Sequence, residues 1–280
     1  MSKDESNVRC MDPNGGMPRL LEIMARLRDP ETGCPWDIEQ TYASIVPYTI
    51  EEAYEVAEAV ERNDMTELED ELGDLLLQVV YYTQMASDDG YFTFDSVTKH
   101  IADKMIHRHP HVFGGASRDK SADQQIVDWE RIKAAERATK DNGKVRTLQG
   151  VAKNLPALTR AVKLQKRAAR VGFDWPETIK VLDKIKEEAA ELIEARATLP
   201  YAKQVEEFGD LMFAMANLGR HLKIDPEEAL RGANRKFQGR FEYIEDALET
   251  DGKTPKQSNL MEMDRLWNQA KIMERKKGEN

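Results

Sequence analysis

The chain has 280 residues, of which 33% are charged and 40% hydrophobic, and its formal net charge is −10. This composition predicts a soluble folded protein, and the negative charge argues against nucleic acid as a main partner because phosphate backbones bind to basic surfaces. No apolar run is long enough to span a membrane. The two cysteines form no C-x-x-C pair, so we expect a cytoplasmic protein without disulfides.

The spacing of apolar residues predicts an all-α protein. Apolar residues recur three and four positions apart along most of the chain, whereas strand-like alternation is scarce. Residues 1–18 are expected to form a flexible tail. The predicted helices of the first half span residues 18–28, 43–62, 65–87, 94–108 and 122–139. Those of the second half span residues 155–170, 177–197, 201–222, 226–249 and 259–276.

The two halves carry the same ordered set of acidic residues, displaced by 136 positions. The first set is Glu51, Glu52, Glu55, Glu71 and Asp74, and the second is Glu187, Glu188, Glu191, Glu207 and Asp210. The four tryptophans also fall into two matched pairs. We therefore predict two homologous domains, residues 19–138 and 151–280, joined by a polar linker at 139–150.

The acidic residues of each half are expected to converge. Residues three or four positions apart share a helix face, as do Glu52 with Glu55 and Glu71 with Asp74. A turn near residues 63–64 would fold the two helices back on each other and bring both pairs together. Carboxylates this close must be protonated or neutralised by a cation. Because the ligands are all oxygens, the preferred ion is Mg²⁺.

A solvated acidic helix face is the alternative, because single E-x-x-E pairs are common on exposed helices. Two features favour a binding site. The spacing occurs twice, and each E-x-x-D is followed by an apolar stretch, residues 75–82 and 211–218, that predicts a buried helix. Gly73 and Gly209 lie inside these helices, where Gly costs about 1 kcal/mol relative to Ala. We therefore expect backbone or ligand to approach closely there.

Four motifs follow one another in the second half: E-E-x-x-E, then after 15 residues E-x-x-D, then K-x-x-x-R and W-x-x-x-K. This order, with "LRDPETGCPWDIEQT", "HRHPHVF" and "VGFDW", resembles the MazG family of nucleoside triphosphate pyrophosphohydrolases over roughly residues 19–277. The resemblance implies four-helix bundles completed across a homodimer. It also implies Mg²⁺-dependent cleavage of nucleoside triphosphates to monophosphate and pyrophosphate, with Mn²⁺ as an alternative ion.

The resemblance also implies a role for each motif residue. The expected metal ligands are Glu188, Glu191, Glu207 and Asp210, with Glu187 as a ligand or base, and in the first domain Glu52, Glu55, Glu71 and Asp74. The expected substrate contacts are Lys203, Asn234, Lys236, Arg240, Trp267 and Lys271. The metal would lower the pKa of a water that attacks phosphorus in line. For Trp267, packing is the alternative to stacking on the base.

The two halves differ where phosphate contacts are expected. Lys203 and Asn234 of the second half correspond to Glu67 and Ala102 of the first. We therefore expect the second domain to carry most of the activity. The first domain would bind metal or nucleotide weakly, or serve dimerisation or regulation.

Two other functions are compatible with the sequence: a non-catalytic module that senses nucleotide or metal, and a helical scaffold with solvated acidic faces. Release of pyrophosphate distinguishes the hydrolase from the sensor, and the scaffold predicts no stabilisation by Mg²⁺. The histidines at positions 107, 109 and 111 are not predicted to bind metal. Their spacing does not share one helix face, and Pro110 interrupts the helix.

Overall fold

The computed structural model describes residues 3–140 and 146–278 of the chain. Within these two ranges the regular elements are all helical, so the predicted all-α fold class is confirmed. None of the described helices combines the length and apolar character needed to cross a membrane. Contacts along the chain divide it into two compact units, Met1–Glu136 and Arg137–Asn280. The linker expected at 139–150 includes positions outside the described residues, and its limits stay a prediction.

The ten predicted helices are present, and their ends differ from the predicted ones by at most two residues, which is the usual uncertainty of helix ends. The helices of the first unit are α1 (Lys3–Met11), α2 (Gly16–Leu27), α3 (Pro35–Glu39), α4 (Tyr42–Arg62), α5 (Met65–Asp88), α6 (Phe94–Arg108), α7 (Pro110–Phe113) and α8 (Ala122–Lys140).

The turn between α4 and α5 is built by two polar residues. Asn63 ends α4 with a φ of 56°, a left-handed conformation that Asn tolerates better than most residues. The Asp64 side chain then accepts hydrogen bonds from the backbone N–H groups of Thr66 and Glu67 and caps α5. The two long helices consequently pack against each other as a hairpin, as predicted from the sequence.

The core of the first unit lies between α2, α4 and α5. Each helix contributes large apolar side chains from one face, and α6 adds Phe94 at the edge. The buried members are Met24, Ile45, Val80, Tyr81 and Met85. This core fixes the α4–α5 hairpin, and thereby the positions of its acidic residues.

Part of the segment expected to be a flexible tail forms the helix α1, which packs along α2. Arg26 Nη1 donates hydrogen bonds to Ser6 Oγ (3.1 Å) and Asn7 Oδ1 (2.8 Å). Arg19 Nε donates to the backbone oxygen of Cys10 (2.9 Å). The helix is held by polar contacts rather than by an apolar stripe, and for this reason hydrophobic periodicity did not reveal it.

The second unit contains α9 (Ala157–Ala169), α10 (Thr178–Thr198), α11 (Tyr201–His221), α12 (Pro226–Thr250), a 3₁₀ turn (Pro255–Gln257) and α13 (Leu260–Gly278). α10 and α11 form a hairpin like that of α4 and α5, α9 packs on α11 and α12, and α13 packs on α12. The interface of α12 and α13 encloses an apolar core of Ile244, Leu248 and Leu266.

The helical stretches expected to be buried all round are buried on one side only. Val79 in α5 and Phe213 and Met215 in α11 are exposed. A Cβ atom added at Gly73 or Gly209 would meet no heavy atom within 4 Å. The expected close approach of backbone at these glycines is therefore wrong for the described part of a single chain. The expected approach of a ligand stays a prediction.

Candidate metal and nucleotide site

Three carboxylates of the second unit converge between α10 and α11. Glu188, Glu207 and Asp210 each offer one oxygen atom, and these atoms lie within 4.8 Å of one another. Glu188 is only 6% exposed, whereas Asp210 lies at the surface. The cluster is thus open to solvent on one side and backed by the hairpin on the other.

Two further acidic residues of α10 flank this cluster. Burial raises the pKa of Glu191, and the neighbouring carboxylates of Glu188 and Glu207 raise it further. Glu187 is exposed and accepts a hydrogen bond from Lys184 Nζ (2.8 Å). The charge of the cluster therefore affects the pKa of Glu191, whereas Glu187 is hydrogen-bonded to a neighbouring lysine.

Lys184 lies beside the second cluster as a counter-ion that the sequence analysis missed. Its Nζ is 2.7 Å from Glu188 Oε1. Hydrogen bonds with Glu187 and Glu188 raise the pKa of Lys184. The corresponding position of the first half is Tyr48, so this charge is not repeated. The available signal in the sequence was a lysine four positions before Glu188 that has no counterpart in the first half.

The first unit holds a similar cluster between α4 and α5. Glu52, Glu55 and Glu71 offer oxygens within 4.8 Å of one another. Burial raises the pKa of Glu52, and Asp74 and Glu55 add to this effect. Burial likewise raises the pKa of Glu71, with further contributions from Glu55 and Asp74. The negative charges of this cluster repel one another.

Both clusters fit a hard divalent cation. Their donors are carboxylate oxygens, the ligands that Mg²⁺ and similar ions prefer. The pKa values of Glu52, Glu71 and Glu191 are raised first by burial and then by neighbouring carboxylates, and a bound cation would offset both effects. Three of the four expected carboxylates meet in each hairpin, since the first group does not include Asp74 and the second does not include Glu191.

A cavity of about 310 Å³ lies next to the second cluster, with Glu188, Asp210 and Lys184 in its lining. The rest of the lining is largely apolar and aromatic. It includes Leu164, Phe173, Trp175, Val181 and Phe213. A cavity of this size, with a few charged groups in a largely apolar lining, is typical of small-molecule sites.

Comparisons with known proteins agree with this geometry. Residues 40–113 match the model of the MazG nucleotide pyrophosphohydrolase domain, and residues 156–237 match that of phosphoribosyl-ATP pyrophosphohydrolase. The chain is 49% identical over 258 residues to the nucleoside triphosphate pyrophosphohydrolase of Escherichia coli strain K12, covering 91% of this chain and 97% of that protein. The chain belongs to the MazG family. It is also 42% identical to nucleoside triphosphate pyrophosphohydrolase/pyrophosphatase MazG of Thermotoga maritima, covering 90% of this chain and 94% of the relative.

Three of the cations that the MazG resemblance assigned to phosphate binding gather around one carboxylate, Glu274 of α13. Arg240 donates to it through Nε (3.0 Å) and Nη2 (2.7 Å). This pair holds the pKa of Glu274 below its usual value, and Lys236 and Lys271 lower it further. The Arg240 guanidinium also lies 5.2 Å from the ring centre of Trp267.

Trp267 has a packing role in this MazG chain. Its ring lies 5.3 Å from that of Phe237 and packs against the core formed by Ile244, Leu248 and Leu266. The packing alternative considered for this residue therefore accounts for its position in the single chain. The face toward Arg240 adds a cation–π contact.

Of the remaining substrate contacts expected for a MazG protein, Lys203 lies near the cluster: Glu206 raises the pKa of Lys203, and Glu207 of the cluster adds to this effect. Lys203 is exposed and pairs with Glu206 (2.6 Å), and Asn234 is exposed on α12. Among the described residues, no hydrogen bond or ion pair joins the second carboxylate cluster to Lys236, Arg240 or Lys271. Within the described residues, the cluster is therefore paired with Lys184 and not with these three cations of α12 and α13.

The sequence analysis missed Glu274 and its counterpart in the first unit. There, Arg108 donates to Glu136 through Nε (3.1 Å) and Nη2 (2.5 Å). Glu136 lies seven residues after Trp129, as Glu274 lies seven after the second-half Trp. Both halves carry the pattern W-x-x-x-K-x-x-E, whereas the sequence analysis considered only W-x-x-x-K and not the glutamate that follows it.

Proposed function

We propose that the chain hydrolyses nucleoside triphosphates to nucleoside monophosphate and pyrophosphate, with Mg²⁺, or alternatively Mn²⁺, held by the second carboxylate cluster. The observation that carries this proposal is the convergence of Glu188, Glu207 and Asp210 in a chain of the MazG family. An all-carboxylate cluster beside a cavity suits a polyanion that arrives with a divalent cation.

The proposed chemistry divides between the ion and the chain's own residues. When bound, Mg²⁺ supplies charge that offsets the triphosphate oxygens and makes the attacking water more acidic. Glu188, Glu207 and Asp210 would hold the ion. Glu191 has a raised pKa, which suits a group that accepts the proton of that water.

The basic residues of α12 and α13 are proposed to bind the phosphate groups. Arg240 offers a planar fork that matches phosphate as well as carboxylate, and Lys236 and Lys271 add charge. In the free chain the Glu274 carboxylate occupies this fork. The incoming triphosphate would then replace Glu274 as the partner of Arg240.

A homodimer is proposed because the second carboxylate cluster makes no hydrogen bond or ion pair with Lys236, Arg240 or Lys271 among the described residues of one chain. The α10–α11 hairpin exposes large apolar side chains, among them Ile193 (71%) and Phe208 (55%). Exposed apolar patches of this kind mark interaction surfaces. Covering this face with the same hairpin of a second copy would complete a four-helix bundle and bring further helices to the carboxylates.

Product identification tests the proposed function. The protein is incubated with each common nucleoside triphosphate and Mg²⁺, and the products are separated by anion-exchange chromatography. We expect monophosphate and pyrophosphate in equal amounts, and none with excess EDTA. Nucleotide binding without pyrophosphate would instead support the sensing module, and formation of diphosphate and phosphate would contradict the proposed bond cleavage.

A further inference from the structure

A buried amide in the wall of the second-unit cavity has an unused hydrogen-bond acceptor. Gln165 is 8% exposed, and its Nε2 donates to the backbone oxygen of Phe213 (2.9 Å). Because a carbonyl oxygen can only accept, this bond fixes which end of the amide faces Phe213. The other end, Oε1, is buried and has no partner among the described residues. A buried acceptor left unpaired costs free energy.

The walls of the cavity indicate what kind of group would supply the missing donor. Phe173, Trp175 and Phe213 provide aromatic surface, on which flat heterocycles stack readily. Glu188 and Asp210 also belong to its lining. A ligand that fits has a flat ring carrying at least one N–H and a polyphosphate that reaches a cation held by these carboxylates. A nucleobase with its triphosphate has this form.

The first unit lacks the space for such a ring at the matched helix positions. Tyr81 and Gln78 of α5 correspond to Asn217 and Ala214 of α11, which line the cavity. Tyr81 is 4% exposed and belongs to the core, and its hydroxyl lies 2.9 Å from the backbone oxygen of Asp37. In the first unit, the large side chain of Tyr81 therefore fills the space that the smaller side chain of Asn217 leaves open in the second.

We propose that the second-unit cavity binds the nucleobase and that Gln165 is a specificity-determining residue, whose Oε1 accepts a hydrogen bond from a ring or exocyclic N–H of the base. This inference rests on the proposed function, since it names the group that the same site recognises. A site that pairs a buried polar atom with its substrate discriminates strongly against analogues that lack the partner atom.

The test uses nucleotides whose bases carry no N–H. Purine riboside triphosphate is compared with ATP and GTP, and pyrimidin-2-one riboside triphosphate with CTP and UTP. kcat/KM is measured from pyrophosphate release, and dissociation constants are measured in parallel by calorimetry. For the wild-type protein we expect the best natural nucleotide to exceed the donor-free analogue of its own ring class by about tenfold or more in kcat/KM.

The deciding variant is Gln165→Met, which keeps the side-chain volume and removes the acceptor. We expect the ratio between natural and donor-free nucleotide to fall toward one. Gln204→Met is the matched control, since Gln204 Nε2 also donates to a backbone oxygen, that of Leu199 (3.1 Å), but lies outside the lining of the cavity. Its ratio should equal that of the wild type. Thermal unfolding of both variants establishes that they are folded.

The inference is overturned if the wild type does not discriminate, or if Gln165→Met keeps the full ratio. These outcomes differ from failure of the proposed function, in which the wild type releases no pyrophosphate from any nucleotide. In that case the ratio of dissociation constants decides the inference by the same comparison.

Discussion

The two carboxylate clusters share their spacing and their helix hairpin but differ in what surrounds them. In the first unit, Glu52 and Glu71 have raised pKa values because of burial and of the acidic residues near them. In the second, Lys184 lies 2.7 Å from Glu188, and a cavity adjoins the cluster. The comparison teaches that the repeat reproduces a cluster of carboxylates, whereas the adjoining lysine and the cavity belong to the second unit.

The basic residues show a similarity instead. In both units an arginine donates hydrogen bonds to a glutamate that lies seven residues after a tryptophan. These pairs are Arg108 with Glu136 and Arg240 with Glu274. The arginine that we propose as a phosphate ligand therefore has a counterpart in the first unit, and differences in activity between the units should depend on the cluster and the cavity.

The largest expected effect comes from removing ligands in one unit at a time. Glu207→Gln with Asp210→Asn should lower the rate of pyrophosphate release by roughly 10³-fold, because the cation supplies several kcal/mol of transition-state stabilisation. The matched pair, Glu71→Gln with Asp74→Asn, should leave most of the activity. Both rates are measured at saturating Mg²⁺ and nucleotide. A larger loss in the first-unit variant would reverse the ranking of the two sites.

The next effect concerns stability in the absence of metal. Because the pKa of Glu71 is raised on folding, its contribution to stability is complete below the unfolded pKa of about 4.3. This contribution is lost as pH rises through the higher folded pKa. Glu71→Gln cannot ionise and should be more stable than the wild type at pH 7 in EDTA, an advantage that disappears at low pH. Thermal unfolding across this pH range measures it.

Addition of Mg²⁺ should make the wild type more stable than Glu71→Gln. At 100 times its Kd the ion should stabilise the wild type by about 2.7 kcal/mol per site, and Glu71→Gln should gain less. Glu69→Gln is the control, since Glu69 lies on the same helix and is exposed, and it should behave as wild type in both conditions. Equal Mg²⁺ stabilisation of all three proteins would contradict a cation site in the first unit.

A smaller effect is expected at the glycine inside each E-x-x-D motif, Gly73 and Gly209. Gly73→Ala should increase stability by up to about 1 kcal/mol, since Ala is the better helix former and the added Cβ meets no atom within 4 Å. Gly209→Ala should do the same in the single chain. If a second copy covers α11 closely in the dimer, Gly209→Ala should also weaken dimerisation, as measured by sedimentation. Loss of stability in monomeric protein would contradict the described packing.

The smallest effect is expected when the glutamate partner of Arg240 or of Arg108 is replaced. Glu274→Gln should lower the KM for nucleotide roughly two- to fivefold, because the carboxylate no longer competes with phosphate for Arg240 and exposed ion pairs are worth at most about 1 kcal/mol. Glu136→Gln should leave KM unchanged if turnover takes place in the second unit. An increase in KM for Glu274→Gln would show that Glu274 orients the arginine rather than competing for it.

The fold was largely predictable because its helices carry apolar residues at helical spacing, and the Asn63-Asp64 turn has a recognisable sequence. The carboxylate clusters were predictable for the same reason, since i, i+3 pairs on two antiparallel helices must meet. The helix α1 was not predictable, because side-chain hydrogen bonds from α2 hold it. Such contacts leave no periodic signal.

The surroundings of the clusters were harder to predict because they depend on contacts between distant elements. The cavity brings together Gln165 from α9, Trp175 from a loop and Asn217 from α11, and no local pattern links these residues. Lys184 and Glu274 were visible in the sequence as charged residues among many. Only their distances to Glu188 and Arg240 distinguish them from ordinary surface charges.

The most direct test is a crystal structure of the protein grown with Mn²⁺ and a non-hydrolysable nucleoside triphosphate analogue, with anomalous scattering used to locate the ion. We expect a Mn²⁺ peak bound by Glu188, Glu207 and Asp210, in contact with the triphosphate. Nucleotide bound elsewhere, with these carboxylates free of any ion, would contradict the account.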